Sequence, residues 1–292
     1  MKLLEKLLAN TGELVAAPYL KEFADRSPDK VLRNSLKLLD HDAIHQLNVY
    51  IKSCFSETGG FCDRAGKADL YYTLFGYFIA KAFDMEPLYP AIEKFVQQKI
   101  RAESLSDVHL HCAAIITASA SENITPVSGF RSLVKQSIRD QLKQQKVYNA
   151  FLSLMTCYYT RDYSGIYVIS KYLGTLEQNS DMPCTLAAAG LVLQKTFNRP
   201  TGDLMKQVLS HYNNSGGFKA TRATRAADLL STAVALYSLS FAGTDLRMIR
   251  PGCLVYIDSL YHNGGFCANS FDPDTDIEYT FYGLLAMGAL AT

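Results

Sequence analysis

Two clusters of side chains in the sequence could do chemistry, and the first is a set of nitrogen and sulfur donors at His109, His111 and Cys112. Imidazole and thiolate groups are the usual ligands of zinc in proteins. On a helix, however, His109 and His111 would point about 200° apart, so they would not share a face. We therefore interpret His111 as a packing or hydrogen-bonding residue near the start of a helix.

The second cluster is the acidic stretch from Phe271 to Glu278, in which Asp272, Asp274 and Asp276 alternate with other residues. An alternation of this kind resembles a calcium loop, but the glycine and the distal glutamate of an EF-hand are missing. Asp276 directly precedes an apolar run, so its alternative role is to cap a helix. The seven scattered cysteines contain no C-x-x-C pair, which predicts reduced thiols and a cytoplasmic protein.

A repeated pattern must position these residues. Gly-Gly-Phe occurs at 59–61, 216–218 and 264–266, and each time an Asp and a Thr four residues apart follow, as Asp69/Thr73, Asp228/Thr232 and Asp276/Thr280. Asp181 and Thr185 keep the second half of the pattern without the glycines. Paired glycines allow a turn with positive φ, and the Asp can cap the helix that follows. Such a recurrence is typical of a repeat architecture.

The pattern predicts about six helical hairpins and no competing strands. The helix after Asp69 is apolar nearly all round and suits an inner layer, whereas the helix before it is more polar and suits an outer layer. We expect one domain over residues 1–292, in which 1–45 form an N-terminal extension or the first hairpin. Leu3, Leu4, Leu7 and Leu8 indicate a packing helix there. The spacing alone leaves open whether the hairpins stack as a solenoid or close into a ring.

Composition excludes several classes of function. The 29 basic and 28 acidic residues nearly balance, so no basic footprint for nucleic acid exists. No run of eighteen apolar residues occurs, and we expect no transmembrane segment. The N-terminus lacks the uninterrupted apolar region of a signal peptide. Apolar residues make up 48% of the chain, which is enough to bury a sizeable core.

The Gly-Gly-Phe turn, its short loop and the Asp-x3-Thr helix start resemble the repeat of protein prenyltransferase β-subunits, which squalene and oxidosqualene cyclases share in a related form. The resemblance covers roughly residues 45–292. It implies an all-α fold, an α/α toroid in which six outer helices surround six inner helices and a central funnel. It also implies an isoprenoid or similar apolar small molecule as ligand. Because the family's β-subunits work with a helical α-subunit, a helical partner subunit is conceivable.

The resemblance also assigns binding residues. In prenyltransferases, two basic residues six and three positions before the Asp hold the diphosphate of the isoprenoid donor, and this chain has Arg222 and Arg225 at those positions before Asp228. Guanidinium groups bind such anions bidentately and stabilise charge on a leaving group. An alternative interpretation is a solvated basic loop. His109 corresponds to a funnel-lining Arg of an early repeat, if that repeat is the one at Asp107.

The family's zinc site is not matched. Its ligands are the Asp of the central repeat, a Cys two residues later, and a His three residues after the Asp of the last repeat. Here Asp228 is present, but Leu230 and Tyr279 occupy the other two positions, and Ser231 replaces a diphosphate-binding Tyr. We therefore expect no metal and no other cofactor, and no zinc-dependent CaaX prenylation. Asp228 would then cap its helix, and Tyr279 would line the cavity or pack in the core.

Three functions stay open. The first is a toroid that binds an isoprenoid, with or without its diphosphate, in the central cavity. The second is a non-catalytic binding or scaffold protein on the same fold. The third is an enzyme similar to class II terpene cyclases, which use an acidic D-x-D-D motif. Asp274 or Asp276 would be its acid, although Ile277 replaces the last Asp of that motif. Whether the chain is an enzyme is left open by the sequence.

Overall fold

A computed structural model describes residues 16–21, 23–102, 104–120, 128–175 and 181–291 of the chain. The leucines of the predicted N-terminal packing helix lie outside these residues, and the single domain over 1–292 stays a prediction. Residues 16–21 and 23–25 are helical. In chain order, the named helices are α1 (Pro28–Ser35), α2 (His41–Ser53), α3 (Leu70–Ala82), α4 (Tyr89–Ala102), α5 (Asp107–Ser119), α6 (Phe130–Lys143), α7 (Val147–Thr160), α8 (Tyr163–Tyr172), α9 (Cys184–Thr196), α10 (Gly202–Leu209), α11 (Leu229–Ala242), α12 (Arg250–Asp258) and α13 (Ile277–Leu290).

From α2 onward, outer and inner helices alternate. The inner helices α3, α5, α7, α9, α11 and α13 each contact the next one, and α13 contacts α3, so the ring is closed. The outer helices α4, α6, α10 and α12 each pack against the inner helix that follows them. The predicted all-α toroid of six hairpins is therefore confirmed, and the ring is the arrangement that forms. In the described part of the chain, no helix has both the length and the apolar character needed to cross a membrane.

The glycine turns join neighbouring hairpins. Gly216 has φ +95°, and a Cβ there would lie 2.1 Å from the carbonyl oxygen of Gly252 on α12, so only glycine fits. Gly264, the turn of the last hairpin, packs in the same way against the backbone of Gln46 on α2, in the first hairpin. The last turn therefore seals the ring against its beginning.

The phenylalanine after each glycine pair anchors the turn. Phe61, Phe218 and Phe266 are all at most 2% exposed, as expected for side chains that pack beneath a turn. Phe61 lies directly against Gly76 of α3, and Phe266 against Gly283 of α13. A side chain at either helical glycine would collide with the ring of its phenylalanine, because three ring carbons would lie within 3 Å of the new Cβ.

One small sheet departs from the expected absence of strands. Strands β1 (Tyr261–His262), β2 (Gly265–Asn269) and β3 (Asp272–Asp276) form an antiparallel sheet in the order β1-β2-β3. In the preceding hairpin, Phe218 and Asp228 form a single antiparallel bridge. The last hairpin extends the equivalent pair, Phe266 and Asp276, into a ladder. Much of the acidic stretch is therefore a strand.

Two helix starts in the middle of the chain also differ from the predicted pattern. Ser106 caps α5, because its hydroxyl accepts the N–H of His109 at 3.4 Å, and Asp107 is the first helical residue. Helix α9 begins only after Pro183, so Asp181 lies outside the helix and is exposed. Asp181 instead lies 3.8 Å from Arg222. Asp107 therefore opens α5 without capping it, whereas Asp181 lies outside its helix, and the prediction that Asp181 opens α9 is wrong in register.

Candidate functional site

The Asp and Thr of each Gly-Gly-Phe hairpin build the start of an inner helix. In the central hairpin, the carboxylate of Asp228 accepts the N–H of Ser231 at 2.7 Å. The hydroxyl of Thr232 donates to the Asp228 carbonyl at 2.7 Å and accepts the N–H of Phe218 at 2.9 Å. The pairs Asp69/Thr73 and Asp276/Thr280 make the same contacts. The repeated pattern is thus a device that ties a turn to a helix N-terminus.

The donor set around Asp228 does not fit the family's zinc. Its carboxylate is engaged in capping α11, and burial raises the pKa of that carboxyl. Leu230 and Tyr279 supply neither the thiolate nor the imidazole that zinc would need. Among the residues that the structure describes, no group of three or more His, Cys, Asp or Glu side chains could hold a metal ion.

The two arginines predicted to bind a diphosphate lie in the exposed loop before α11. The Nε of Arg222 donates to the hydroxyl of Ser210 at 3.2 Å, and the same atom lies 3.8 Å from the carboxylate of Asp181. The Arg225 carbonyl accepts the side-chain amide of Asn213 at 3.2 Å. A diphosphate bound here would therefore compete with Asp181 for Arg222. The roles of Arg222 and Arg225 stay predictions.

The acidic stretch binds Arg64, a residue that the sequence did not single out. The Nε of Arg64 donates to the Asp276 carboxylate at 2.7 Å, and its Nη1 donates to that of Asp272 at the same distance. A third donor, Nη2, reaches the carbonyl of Asp274 at 3.0 Å. A general acid must present a proton, whereas Asp276 accepts hydrogen bonds from Arg64 and from the N–H of Tyr279. The contacts of Asp276 are thus those of a structural carboxylate that joins the first and last hairpins.

His109 and Tyr279 each lie three residues after the cap of their helix. The Nε2 of His109 lies 3.9 Å from the Asp69 carboxylate, and its side chain is half-buried. The ring of Tyr279 lies under the guanidinium of Arg64, at 5.5 Å from its centroid. His109 belongs to α5 and Tyr279 to α13, and α3 separates these helices in the ring. The two predicted binding residues therefore lie on different sides of α3.

The other histidine of the predicted cluster is structural. His111 is fully buried, and its Nδ1 lies 2.7 Å from the hydroxyl of Thr156 on α7. Its Nε2 lies 3.3 Å from the hydroxyl of Ser137 on α6, which donates to Asp107. Burial lowers the pKa of His111 to about 4. The packing role expected for His111 is the one that the structure shows.

Aromatic side chains from three inner helices meet inside the ring. Phe78 of α3 lies 5.4 Å from Tyr159 of α7 and 6.1 Å from Phe281 of α13, between ring centroids. Nearer the N-termini of the same helices, Phe75 packs at 5.6 Å from Tyr282. Because α3 and α7 are not neighbours in the ring, the Phe78–Tyr159 contact crosses its interior.

Tyr148, at the start of α7, shows that the interior nearer the helix N-termini is accessible. Its side chain is 47% exposed, yet burial is the main cause that raises its pKa. Burial is the largest cause that raises the pKa values of Tyr71 on α3 and Tyr282 on α13, and the charge of ionised Tyr148 is a smaller cause of both shifts. Tyr148, Tyr71 and Tyr282 are therefore close enough to act on one another across the interior of the ring. We call the interior space at this end of the ring the chamber, with Tyr71, Phe75, Tyr148 and Tyr282 as walls and Phe78 and Tyr159 as floor.

The segment before α1 covers the opposite end of the ring, at the C-termini of the inner helices. Phe23 packs against Tyr158 at 4.7 Å and against Phe241 at 5.8 Å. Arg26 donates to the carbonyls of Ser240 and Phe241, the last-turn groups of α11. The hydroxyl of Tyr159 donates to Asp29 at 2.6 Å. These contacts place residues 23–29 across this end, so the chamber is approached from the capped helix N-termini.

One acidic side chain projects from α13 toward the chamber wall. The Oε1 of Glu278 accepts the hydroxyl of Tyr71 at 2.6 Å, and burial raises the pKa of its carboxyl. In the sequence, Glu278 stands out only as part of the acidic stretch. Its position two residues after the Asp276 cap is the signal that could have identified it, because Tyr71 occupies the equivalent position after Asp69.

Comparison with known proteins agrees with this architecture. The sequence model of the prenyltransferase alpha-alpha toroid domain matches residues 31–87 and 182–291, which together are more than half of the chain. No curated protein matches the chain. The matched residues include all three Gly-Gly-Phe turns and the helix starts that follow them. The chain therefore belongs to the prenyltransferase α/α-toroid family.

Proposed function

We propose that this protein binds an isoprenoid or a similarly elongated apolar molecule in the chamber, without zinc-dependent transfer. The observation that carries the proposal is the accessible surface of Tyr148 inside a ring of aromatic side chains. Aromatic walls offer a large apolar area, and the site is concave, as small-molecule sites are. The floor formed by Phe78 and Tyr159 limits the depth to which such a chain can enter.

The absence of the family's zinc ligands separates this proposal from protein prenylation. A prenyltransferase activates its thiol acceptor on zinc, as the family resemblance implies, and Leu230 and Tyr279 cannot supply that site. The proposal is therefore limited to ligand binding, and we propose a non-catalytic binding protein. A reproducible turnover of a prenyl substrate would overturn this part of the proposal.

The binding site can be tested with two tyrosines of equal exposure. Tyr148 is 47% exposed inside the ring, and Tyr167 is 48% exposed on the outer helix α8. We expect farnesol and geranylgeraniol to raise the melting temperature of the wild-type protein. Tyr148→Ala should weaken binding of farnesol about tenfold, because one aromatic contact is lost.

The control variant is Tyr167→Ala, which should bind farnesol as the wild type does. Equilibrium dialysis with labelled farnesol gives the dissociation constants, and native mass spectrometry of protein purified without added ligand shows whether a lipid is retained. If no prenyl alcohol, amine or diphosphate binds, or if both tyrosine variants lose binding equally, the chamber is not the site.

For a ligand that carries a diphosphate, Arg222 and Arg225 are the proposed contacts. Where farnesyl diphosphate raises the melting temperature of the wild type, Arg222→Ala combined with Arg225→Ala should abolish that rise. A matched control is Arg131→Ala combined with Arg139→Ala, which removes two exposed arginines from the outer helix α6. An unchanged rise in the Arg222/Arg225 double variant would exclude these residues as diphosphate contacts.

A further inference from the structure

Glu278 is an acidic side chain beside the chamber that could contact a ligand there. It is the second residue of α13, and its side chain is half-buried. Its Oε1 accepts the Tyr71 hydroxyl at 2.6 Å. Within the described residues, no hydrogen bond or ion pair joins its second oxygen, Oε2, to the protein. One carboxylate oxygen is therefore available to a molecule in the chamber.

The charges around Glu278 do not neutralise it. Arg64 is the cation that acts on Glu278, and its guanidinium is ion-paired with Asp272 and Asp276. Tyr71, Asp276 and Asp69 also act on the Glu278 carboxyl. Glu278 in turn contributes to the raised pKa values of Tyr72, Tyr148, Tyr279 and Tyr282. The carboxyl thus lies among tyrosines and acidic groups, on the side of the chamber formed by α3 and α13.

We infer that Glu278, positioned by Tyr71, recognises the polar head of the chamber ligand, and that this head is a hydrogen-bond donor, an alcohol or a protonated amine, rather than a diphosphate. The inference rests on the proposed function, since it presumes a ligand in the chamber. It adds the chemistry of the head group, which neither the fold nor the family match assigns.

Elementary electrostatics supports this selectivity. A carboxylate oxygen removed from bulk water is costly unless a donor reaches it, and an alcohol or ammonium group supplies that donor. The faces of the surrounding tyrosines attract a cation. A diphosphate would bring several negative charges toward Glu278 and Asp69, where reduced screening makes like-charge repulsion stronger than in water.

The test compares four ligands that share one chain: farnesol, farnesylamine, farnesyl methyl ether and farnesyl diphosphate. The ether keeps the oxygen of the alcohol but cannot donate a hydrogen bond. Dissociation constants are measured by equilibrium dialysis near pH 7.5, where a free amine is protonated. We expect the dissociation constants of the alcohol and the amine to be lower than those of the ether and the diphosphate by about tenfold or more.

The variant Glu278→Gln keeps the shape of the side chain and removes its charge. It should weaken the binding of farnesylamine about tenfold or more. The dissociation constant of farnesyl diphosphate should become closer to that of the ether. The matched control is Glu57→Gln, at an exposed glutamate in the first glycine turn, which should leave all four constants unchanged. Circular dichroism confirms that each variant is folded.

A second variant keeps the inference testable if Glu278→Gln does not fold. Tyr71→Phe leaves the carboxylate in place, so the preference for the amine over the ether should remain. Three outcomes would overturn the inference while the chamber proposal stands. They are tightest binding by the diphosphate, equal binding of all four ligands, and a preference for the amine that survives in Glu278→Gln. Failure of all four ligands to bind would instead overturn the proposed function itself.

Discussion

The ring is built from two kinds of hairpin, and they hold their inner helices differently. Hairpins one, five and six cap the inner helix with an aspartate and tie the turn to it through a threonine. In the middle of the chain, Ser106 caps α5, and the starts of α7 and α9 have no side-chain cap. The family model matches residues 31–87 and 182–291, so α5 and α7 lie in the unmatched middle, whereas α9 is matched although its start has no side-chain cap.

The difference shows that the repeated pattern fixes turns, whereas helix packing makes the ring. The middle helices α5, α7 and α9 contact their neighbours as the others do, although they lack the Asp-Thr device. In these middle hairpins a buried polar side chain connects neighbouring helices. His111 of α5 joins Thr156 of α7 and Ser137 of α6, so one imidazole links three helices.

The largest effect should come from the glycine turns of the first kind of hairpin. Gly216→Ala forces a side chain onto a residue with φ +95°, with its Cβ 2.1 Å from a backbone oxygen of α12. We expect a loss of about 3 to 4 kcal/mol in the free energy of unfolding, from backbone strain and displaced packing. Urea denaturation at low temperature measures this loss, because a loss of this size is a large fraction of the total stability of a domain.

A glycine in the middle of the chain provides the matched comparison. Among the described residues, no atom lies within 4 Å of a Cβ placed on Gly174, and its φ is not left-handed. Gly174→Ala should therefore change the free energy of unfolding by no more than about 0.5 kcal/mol. Similar losses in the two variants would show that the glycine turns do not distinguish the two kinds of hairpin.

The sequence predicted the hairpins well because their determinants are local, whereas the closed ring was implied only by the family resemblance. A Gly-Gly-Phe turn and a capped apolar helix start can be recognised within about twenty residues, and they recur. The start of α9 was misplaced because Pro183 lies inside the expected Asp181–Thr185 pair. At α5 the cap is Ser106, although the adjacent Asp107 can cap as well. Which neighbour caps depends on how the helix packs, and that is a tertiary property.

The candidate site was less predictable for a related reason. Arg64 and Asp276 are 212 residues apart, and only ring closure brings them together. Likewise, Glu278 reaches Tyr71 because α13 and α3 are neighbours across the closure, at a separation of 207 residues. By contrast, the mismatch at Leu230 and Tyr279 could be recognised from sequence, since it needed only the identities of single residues.

The second effect concerns the middle hairpins and depends on pH. Burial lowers the pKa of His111 to about 4 from 6.5, with the Asp107 charge opposing the change. Between these values the unfolded chain binds a proton that the folded protein does not. The contribution of neutral His111 to stability is therefore complete above pH 6.5 and is lost as the pH falls toward 4. The full change is about 3 kcal/mol.

Urea denaturation from pH 4 to 7.5 tests this prediction when the wild type is compared with His111→Gln. Glutamine cannot take up a proton, so the stability advantage of the wild type over this variant should shrink by about 3 kcal/mol as the pH falls through the window. The control is His41→Gln, since the His41 side chain is 96% exposed, and this variant should follow the wild-type curve. Parallel curves for wild type and His111→Gln would mean that His111 is not held neutral, and that the imidazole does not link the middle helices as its contacts indicate.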